Sequence, residues 1–184
     1  MAELFSYNLK IPLDRVGVLI GPSGAVKKQI EQATHTQLAI DSEEGDVEIR
    51  SDSGVHIYET REIVRAIGRG FNPDIAMQLL KQDYALEIVQ VADFAGKNKN
   101  AFKRLKGRVI GSEGKAKREL ENLTNCVVSV YGKTVALIGP VEDVINARRA
   151  IEDLLAGSTH ARVYHFLEKK RREKRMEPLW TSAN

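Results

Sequence analysis

Two stretches of the chain couple a glycine-bounded turn to an amphipathic segment. The first reads Leu19-Ile20-Gly21-Pro22-Ser23-Gly24-Ala25-Val26-Lys27-Lys28, the second Val109-Ile110-Gly111-Ser112-Glu113-Gly114-Lys115-Ala116-Lys117-Arg118. They align without a gap at an offset of 90 residues. Glycine lets another backbone approach the main chain closely. A helix starting at such a turn offers unpaired N–H groups and the positive end of its dipole. This chemistry suits a phosphate backbone. One Gly-x-x-Gly is weak evidence, because many helix-turn-helix joints satisfy it. Two at matching places, each after an apolar pair and before a helix, carry more weight. A P-loop is excluded: Val109 stands where its first glycine belongs and Ala116 replaces its hydroxyl residue. A dinucleotide fingerprint lacks its extra glycine at both turns.

The elements that position these turns repeat as well. A strand opens each unit, over 4–11 and 84–91. A short helix leads into the turn. The next helix places Val26, Ile30 and Ala33 on one face, matched by Ala116, Leu120 and Leu123. A hairpin follows, with strands 37–40 and 47–50 around the acidic loop 41–46, and strands 127–131 and 134–138 around Gly132-Lys133. A last helix closes each unit. In the second it carries the stripe Val144, Ala147, Ile151 and Leu154, with Pro140 near its first position and Gly157 as its stop. The order is β-α-α-β-β-α, twice, an α+β class with a three-stranded antiparallel sheet packed by helices in each unit. Asn72-Pro73-Asp74 opens a short connector helix over 75–82. Ser158 is expected to cap a helix that begins at Thr159 and runs into Lys169–Arg175, with 177–184 loose. The domains read as 1–70, a connector 71–83, 84–157, and a basic C-terminal helix and tail 158–184.

Charge separates the two units. The chain's net charge is only +3, at pI near 8.9. Residues 95–118 nevertheless hold Lys97, Lys99, Lys103, Arg104, Lys106, Arg108, Lys115, Lys117 and Arg118 against Glu113 alone, a local +8. The matching stretch 10–28 reaches +3. The first hairpin is acidic, with Asp41, Glu43, Glu44, Asp46, Glu48 and Asp52 opposed by Arg50. Phosphate contacts supply most non-specific nucleic-acid affinity. The second unit is therefore the expected main reader, and the first a weaker binder or a protein contact. The run Lys169–Arg175 reads equally as a solvated helix face or an RNA-binding arm.

Other chemistry finds no support in the residues. His35, His56, His160 and His165 form neither a metal site nor a general base, and no nucleophile–base constellation is recognisable. No catalytic residue, cofactor or metal is expected. The lone Cys126 reads as a core residue in a reducing compartment. The N-terminus lacks a signal-peptide pattern and no apolar run reaches membrane length, so a cytoplasmic location is expected.

The doubled Gly-x-x-Gly and the element order resemble the KH domain of type I, over 4–70 and 84–157. The resemblance implies two tandem KH domains that clamp single-stranded RNA, each turn holding about four nucleotides. Three stretches resemble the partner-of-Nob family more narrowly: Arg69-Gly70-Phe71-Asn72-Pro73 leading to Ala76–Leu80; Gly114–Arg118 with Leu123-Thr124-Asn125; and Asn146–Ile151 reaching Leu155–Ser158. Lys27 and Lys117, unusual for KH domains at large, are typical of that family. Gly-x-x-Gly in both units and the lack of a long N-terminal extension look archaeal. The resemblance implies binding at the 3′ end of small-subunit ribosomal RNA during ribosome biogenesis, beside a Nob-type endonuclease or another assembly or translation protein. It also implies an RNA clamp of Arg108, Gly111, Ser112, Glu113, Gly114, Lys115, Lys117 and Arg118, to which Arg104 of the basic cluster is added as an RNA-binding candidate, and a first clamp of Gly21, Pro22, Ser23 and Gly24 with Lys27 and Lys28. A monomer is expected. Other readings are a protein-interaction adaptor, an exosome-type RNA-binding subunit, and an RNA-processing enzyme.

Overall fold

The computed structural model describes residues 4–96 and 98–176. Lys97 and the segment 177–184 lie outside the described residues. The chain divides into two compact units at Tyr84 and Ala85.

In the first unit, strand β1 (Phe5–Lys10) precedes helices α1 (Leu13–Ile20) and α2 (Ala25–Thr34), which flank a 3-10 turn at Pro22–Gly24. Strands β2 (Gln37–Ile40) and β3 (Asp46–Ser51) follow, then helix α3 (Gly54–Gly68). The sheet order is β1-β3-β2, and β3 is antiparallel to both neighbours, with Ile49 opposite Tyr7 and Leu38. Along β3, Val47, Ile49 and Ser51 alternate inward, the period-two pattern of a sheet with one buried face. Helices cover that face. Leu19, Ile30, Ile63 and Ile67 are fully buried.

After a connector turn α4 (Pro73–Ala76), the second unit repeats this plan with β4 (Tyr84–Gln90), a single turn α5 (Ala92–Ala95), α6 (Lys99–Ile110), a 3-10 turn at Ser112–Gly114, α7 (Lys115–Thr124), β5 (Val127–Tyr131), β6 (Thr134–Pro140) and α8 (Val141–Ala156). The sheet is antiparallel, in the order β4-β6-β5. Central β6 is buried on both faces from Thr134 to Gly139. The predicted stripe Val144, Ala147, Ile151 and Leu154 is buried throughout.

One helix distinguishes the units. α9 (His160–Met176) packs on α7 and α8 and buries Val163 and Leu167 in the second core. This explains a departure from the sequence expectation. Leu123 is buried, as its helical spacing predicts, but Ala33, its counterpart 90 residues earlier, is exposed. Among the described residues, the first unit has no helix matching α9 over that position. The next residue is buried in both units: Thr34 donates its hydroxyl proton to Ile30 O at 2.8 Å and Thr124 to Leu120 O at 2.6 Å.

The helix ends differ in detail. The connector forms one α-turn from Pro73 and then a 3-10 turn at Met77–Leu80, not one helix over 75–82; Lys81 is already extended. Asn72 caps it without a side-chain bond. Pro140 stands at the N-cap, immediately before the first position of α8. Thr159, not Ser158, caps α9: its hydroxyl accepts from Arg162 N–H at 3.4 Å, while the Ser158 N–H closes α8 on Asp153 O. Asn98 caps α6, accepting from the N–H groups of Asn100 and Ala101.

Cys126 lies in the second core, and burial pushes its thiol up to about 12. Thiolate is the reactive form. Alkylation by iodoacetamide at pH 8 is expected to proceed no faster than unfolding of the second unit, which a matched urea series followed by mass spectrometry checks.

Candidate nucleic-acid interface

The two turns have nearly the same backbone. Gly21, Ser23 and Gly24 take φ/ψ of 70/176, 51/28 and 76/15°, and Gly111, Glu113 and Gly114 take 72/175, 53/27 and 74/14°. The last two residues of each turn are left-handed, so Ser23 and Glu113 each hold a conformation that favours glycine. Each turn is closed by bonds from its glycine N–H groups: Gly21 to Gly17 O, Gly24 to Gly21 O, Gly111 to Gly107 O and Gly114 to Gly111 O. Neither α2 nor α7 has a side-chain cap at its N-terminus. The first N–H of each helix, on Ala25 and Lys115, donates instead to a carbonyl of the turn, Pro22 O and Ser112 O.

The two glycines of each turn do different work. A Cβ on Gly21 would meet Val26 Cγ2 at 2.4 Å, and one on Gly111 would meet Ala116 Cβ at 2.6 Å. The first glycine is thus consumed by the fold, letting the turn press on the helix it starts. A Cβ on Gly24 would meet nothing within 4 Å, and one on Gly114 only Arg118 Nη1 at 3.4 Å. The second glycine presents bare backbone to the outside.

A further pair of glycines was missed by sequence reasoning. Gly17 and Gly107 sit inside α1 and α6, 90 residues apart, four before each turn. A Cβ on either would touch nothing within 4 Å, and both are exposed. Glycine inside a helix costs about 1 kcal/mol relative to alanine. Packing does not explain the residue at either site. Their coincidence in the repeat was the available signal.

On the other side of the turn, Glu31 joins α2 to the edge strand β2, accepting from Leu38 N–H at 2.7 Å. Lys27 lies 3.9 Å from the same carboxylate. Glu121 repeats the arrangement, accepting from Val128 N–H on β5 at 2.9 Å with Lys117 at 3.7 Å. Helix, edge strand and turn are held at a set spacing in both units, with the lysines bordering the gap. Among the described residues, no group of three or more His, Cys, Asp or Glu could hold a metal ion, and no helix is long and apolar enough to cross a membrane.

Residues 85–172 match the eukaryotic-type KH domain of type I known from the second KH position of PNO1, and 6–69 match the general KH domain. A KH domain-containing protein of Methanocaldococcus jannaschii is 50% identical over 169 residues, covering 90% of this chain and 74% of the relative. The chain belongs to the partner-of-Nob (PNO1/Dim2) family of tandem KH proteins, which are ribosome assembly factors. The pre-rRNA-processing protein PNO1 of Chaetomium thermophilum is 30% identical over 139 residues, 71% of this chain and 53% of that protein. Among solved structures, Dim2p of Pyrococcus horikoshii OT3 superposes with a TM-score of 0.83 at 43% identity, covering 90% of this chain and 99% of that one. A chain of the a/eIF2alpha–aDim2p–rRNA complex from the same organism gives 0.86 at 41%, covering 92% and 96%. PNO1/Dim2 proteins are KH RNA binders rather than enzymes.

In this PNO1/Dim2 chain the basic cluster does not act as one surface. Lys103 and Arg104 are exposed on α6, and Lys115 and Arg118 are exposed on α7 beside the turn. Lys106 reaches from α6 to Gly132 O at 3.1 Å, bracing the hairpin. Arg108 is turned inward. Its Nε donates to Leu154 O at 3.0 Å and its Nη2 to Ser158 O, tying α6 to the end of α8. Arg15 does the same in the first unit, donating to Ile67 O at 2.8 Å and Phe71 O at 2.6 Å. The two arginines are 93 residues apart, so alignment at an offset of 90 conceals their equivalence. In the first clamp, Lys28 is exposed and Pro22 and Ser23 form the exposed tip. At the second tip are Ser112 and Glu113; the Glu113 side chain is 79% exposed, with Lys115 3.9 Å away.

The bare helical glycine yields a test. Gly107→Ala is expected to stabilise the second unit by up to about 1 kcal/mol while weakening single-stranded RNA binding about threefold or more. Urea unfolding and fluorescence anisotropy on the same preparation check both signs.

Proposed function

We propose that the protein binds single-stranded RNA through its Gly-x-x-Gly turns at the 3′ end of small-subunit ribosomal RNA, with the second KH domain as the main reader. The observation that carries this reading is the matched geometry of the two turns, with the open glycine of the second surrounded by exposed Lys115 and Arg118. Phosphates lie over Gly114 and the start of α7, where the positive end of the helix dipole favours negative charge. Bases enter the gap between α7 and β5. The rRNA in the P. horikoshii complex supports an RNA of this class. The working modules are 1–70 and 84–157, joined by 71–83, with α9 attached to the second. The protein acts in the cytoplasm as a monomer that meets a Nob-type endonuclease or another assembly or translation factor; the a/eIF2alpha in the same complex supports the latter class of partner.

The test is a titration of labelled RNA copying that 3′ end, against a scrambled sequence, with wild type, Gly24→Asp and Gly114→Asp. A clamp on four phosphates of a single strand predicts a log–log salt slope of about −3. Sequence-dependent binding lost mainly with Gly114→Asp supports the reading. Equal binding of both RNAs, unchanged by either substitution, overturns it.

Glu113 opposes the ligand in this scheme. Glu113→Lys is expected to raise RNA affinity about three- to tenfold at low salt, with the gain shrinking as salt screens it. Anisotropy at two salt concentrations checks it.

A further inference from the structure

α9 has no counterpart among the described residues of the first unit, and its first turn lies against the back of the second Gly-x-x-Gly turn. His160 bonds through Nε2 to Arg108 O at 2.8 Å, which fixes the ring three residues before Gly111. One turn along, the Tyr164 ring stands 5.9 Å from the His160 ring, tilted by 59°. Both are half-buried. With Gly111, Ser112, Lys115 and Arg118 they line an open cleft of about 700 Å³. Glu119 and Asn122 of α7 complete it. Burial and the nearby Glu119 carboxylate push the Tyr164 hydroxyl pKa upward, in keeping with a ring set into the wall.

The cleft flanks α7 on the side facing α9, whereas Lys117 and Glu121 border the gap toward β5. The phosphate turn lies between them. Aromatic faces next to cations are what a single-stranded nucleotide requires: the base stacks on the ring and the phosphate meets the charge. Lys115 and Arg118 supply the cations for the phosphate, opposed by Glu119 in the cleft and by Glu113, which stands 3.9 Å from Lys115 at the turn. The cleft opens at Gly111 and Ser112, so it continues from the turn.

We infer that the second KH domain holds one more nucleotide than its clamp does, with the extra base stacked on Tyr164 of α9, His160 at its edge, and its phosphate met by Lys115 and Arg118. This rests on the clamp reading above. It gives the second domain a longer footprint than the first, from a helix that only the second possesses.

The test uses the full chain carrying Gly24→Asp, which silences the first turn, and short RNAs matching the 3′ end of small-subunit ribosomal RNA. A four-nucleotide RNA is compared with versions one nucleotide longer at either end, each also made with 2-aminopurine at the added position. One extension is expected to raise affinity about tenfold and to quench the 2-aminopurine. Tyr164→Leu, which keeps an apolar side chain against the core, is expected to abolish both effects while leaving four-nucleotide binding intact; Tyr164→Phe keeps them. An equal gain in wild type and Tyr164→Leu, or no gain at either end while the four-nucleotide RNA binds, overturns the inference alone. Failure of the four-nucleotide RNA to bind, or its indifference to Gly114→Asp, overturns the clamp and the inference with it.

Discussion

Gly114→Asp is expected to lower RNA affinity about 30- to 100-fold with little loss of stability, whereas Gly111→Asp unfolds the second unit. The glycines share a motif but meet different surroundings. At Gly114 the new side chain enters open space, with Arg118 Nη1 at 3.4 Å as its nearest neighbour. The left-handed φ of 74° costs about 1 kcal/mol, and aspartate tolerates that region better than most residues. The carboxylate stands where phosphate must approach, and a like charge there costs about 2–3 kcal/mol of binding. At Gly111 the Cβ would lie 2.6 Å from Ala116 Cβ and 2.7 Å from Ala116 N. Those atoms belong to the first turn of α7 and cannot retreat without moving the helix. Overpacking and backbone strain together cost about 3–5 kcal/mol, a large share of a small domain's stability. Urea unfolding and anisotropy separate the two outcomes. Equal stability losses for both variants would contradict the division of labour between the glycines.

Arg108→Met is expected to destabilise the second unit by about 2–4 kcal/mol, with RNA affinity changed less than about threefold when the protein is folded. Charge and position made this arginine an RNA-binding candidate, but its guanidinium is spent on Leu154 O and Ser158 O. Hydrogen bonds from a charged donor contribute about 1.5–3 kcal/mol each, and their loss strands carbonyls in a part-buried joint. α8 loses its tie to α6 just where the chain turns toward α9. Hydrogen exchange should rise in α8 and α9 and stay unchanged in the first unit. A tenfold loss of affinity without exchange changes would return Arg108 to the RNA surface. Arg15→Met is expected to have the same effect on the first unit.

Much of this architecture was legible in the residues because the signals are local. Helical spacing placed Ile30, Leu120 and Ile151 in the cores, and the doubled motif placed both turns between helices. Repetition carried most of that inference, since each unit supplied a control for the other. The same repetition misled at Ala33, where matching spacing promised burial that needs a covering helix.

Local pattern determines where a turn forms and what backbone it adopts. It does not determine which nearby groups claim a side chain. Arg108 and Arg118 look alike in sequence, yet one is drawn to two carbonyls more than forty residues away and the other stays exposed beside the turn. The cleft on α9 exists because Gly157, at φ 109°, turns the chain back toward α7. These outcomes are set by distances between segments remote in sequence, where steric room and competition for hydrogen bonds decide. The spacing of residues along one chain carries no record of either.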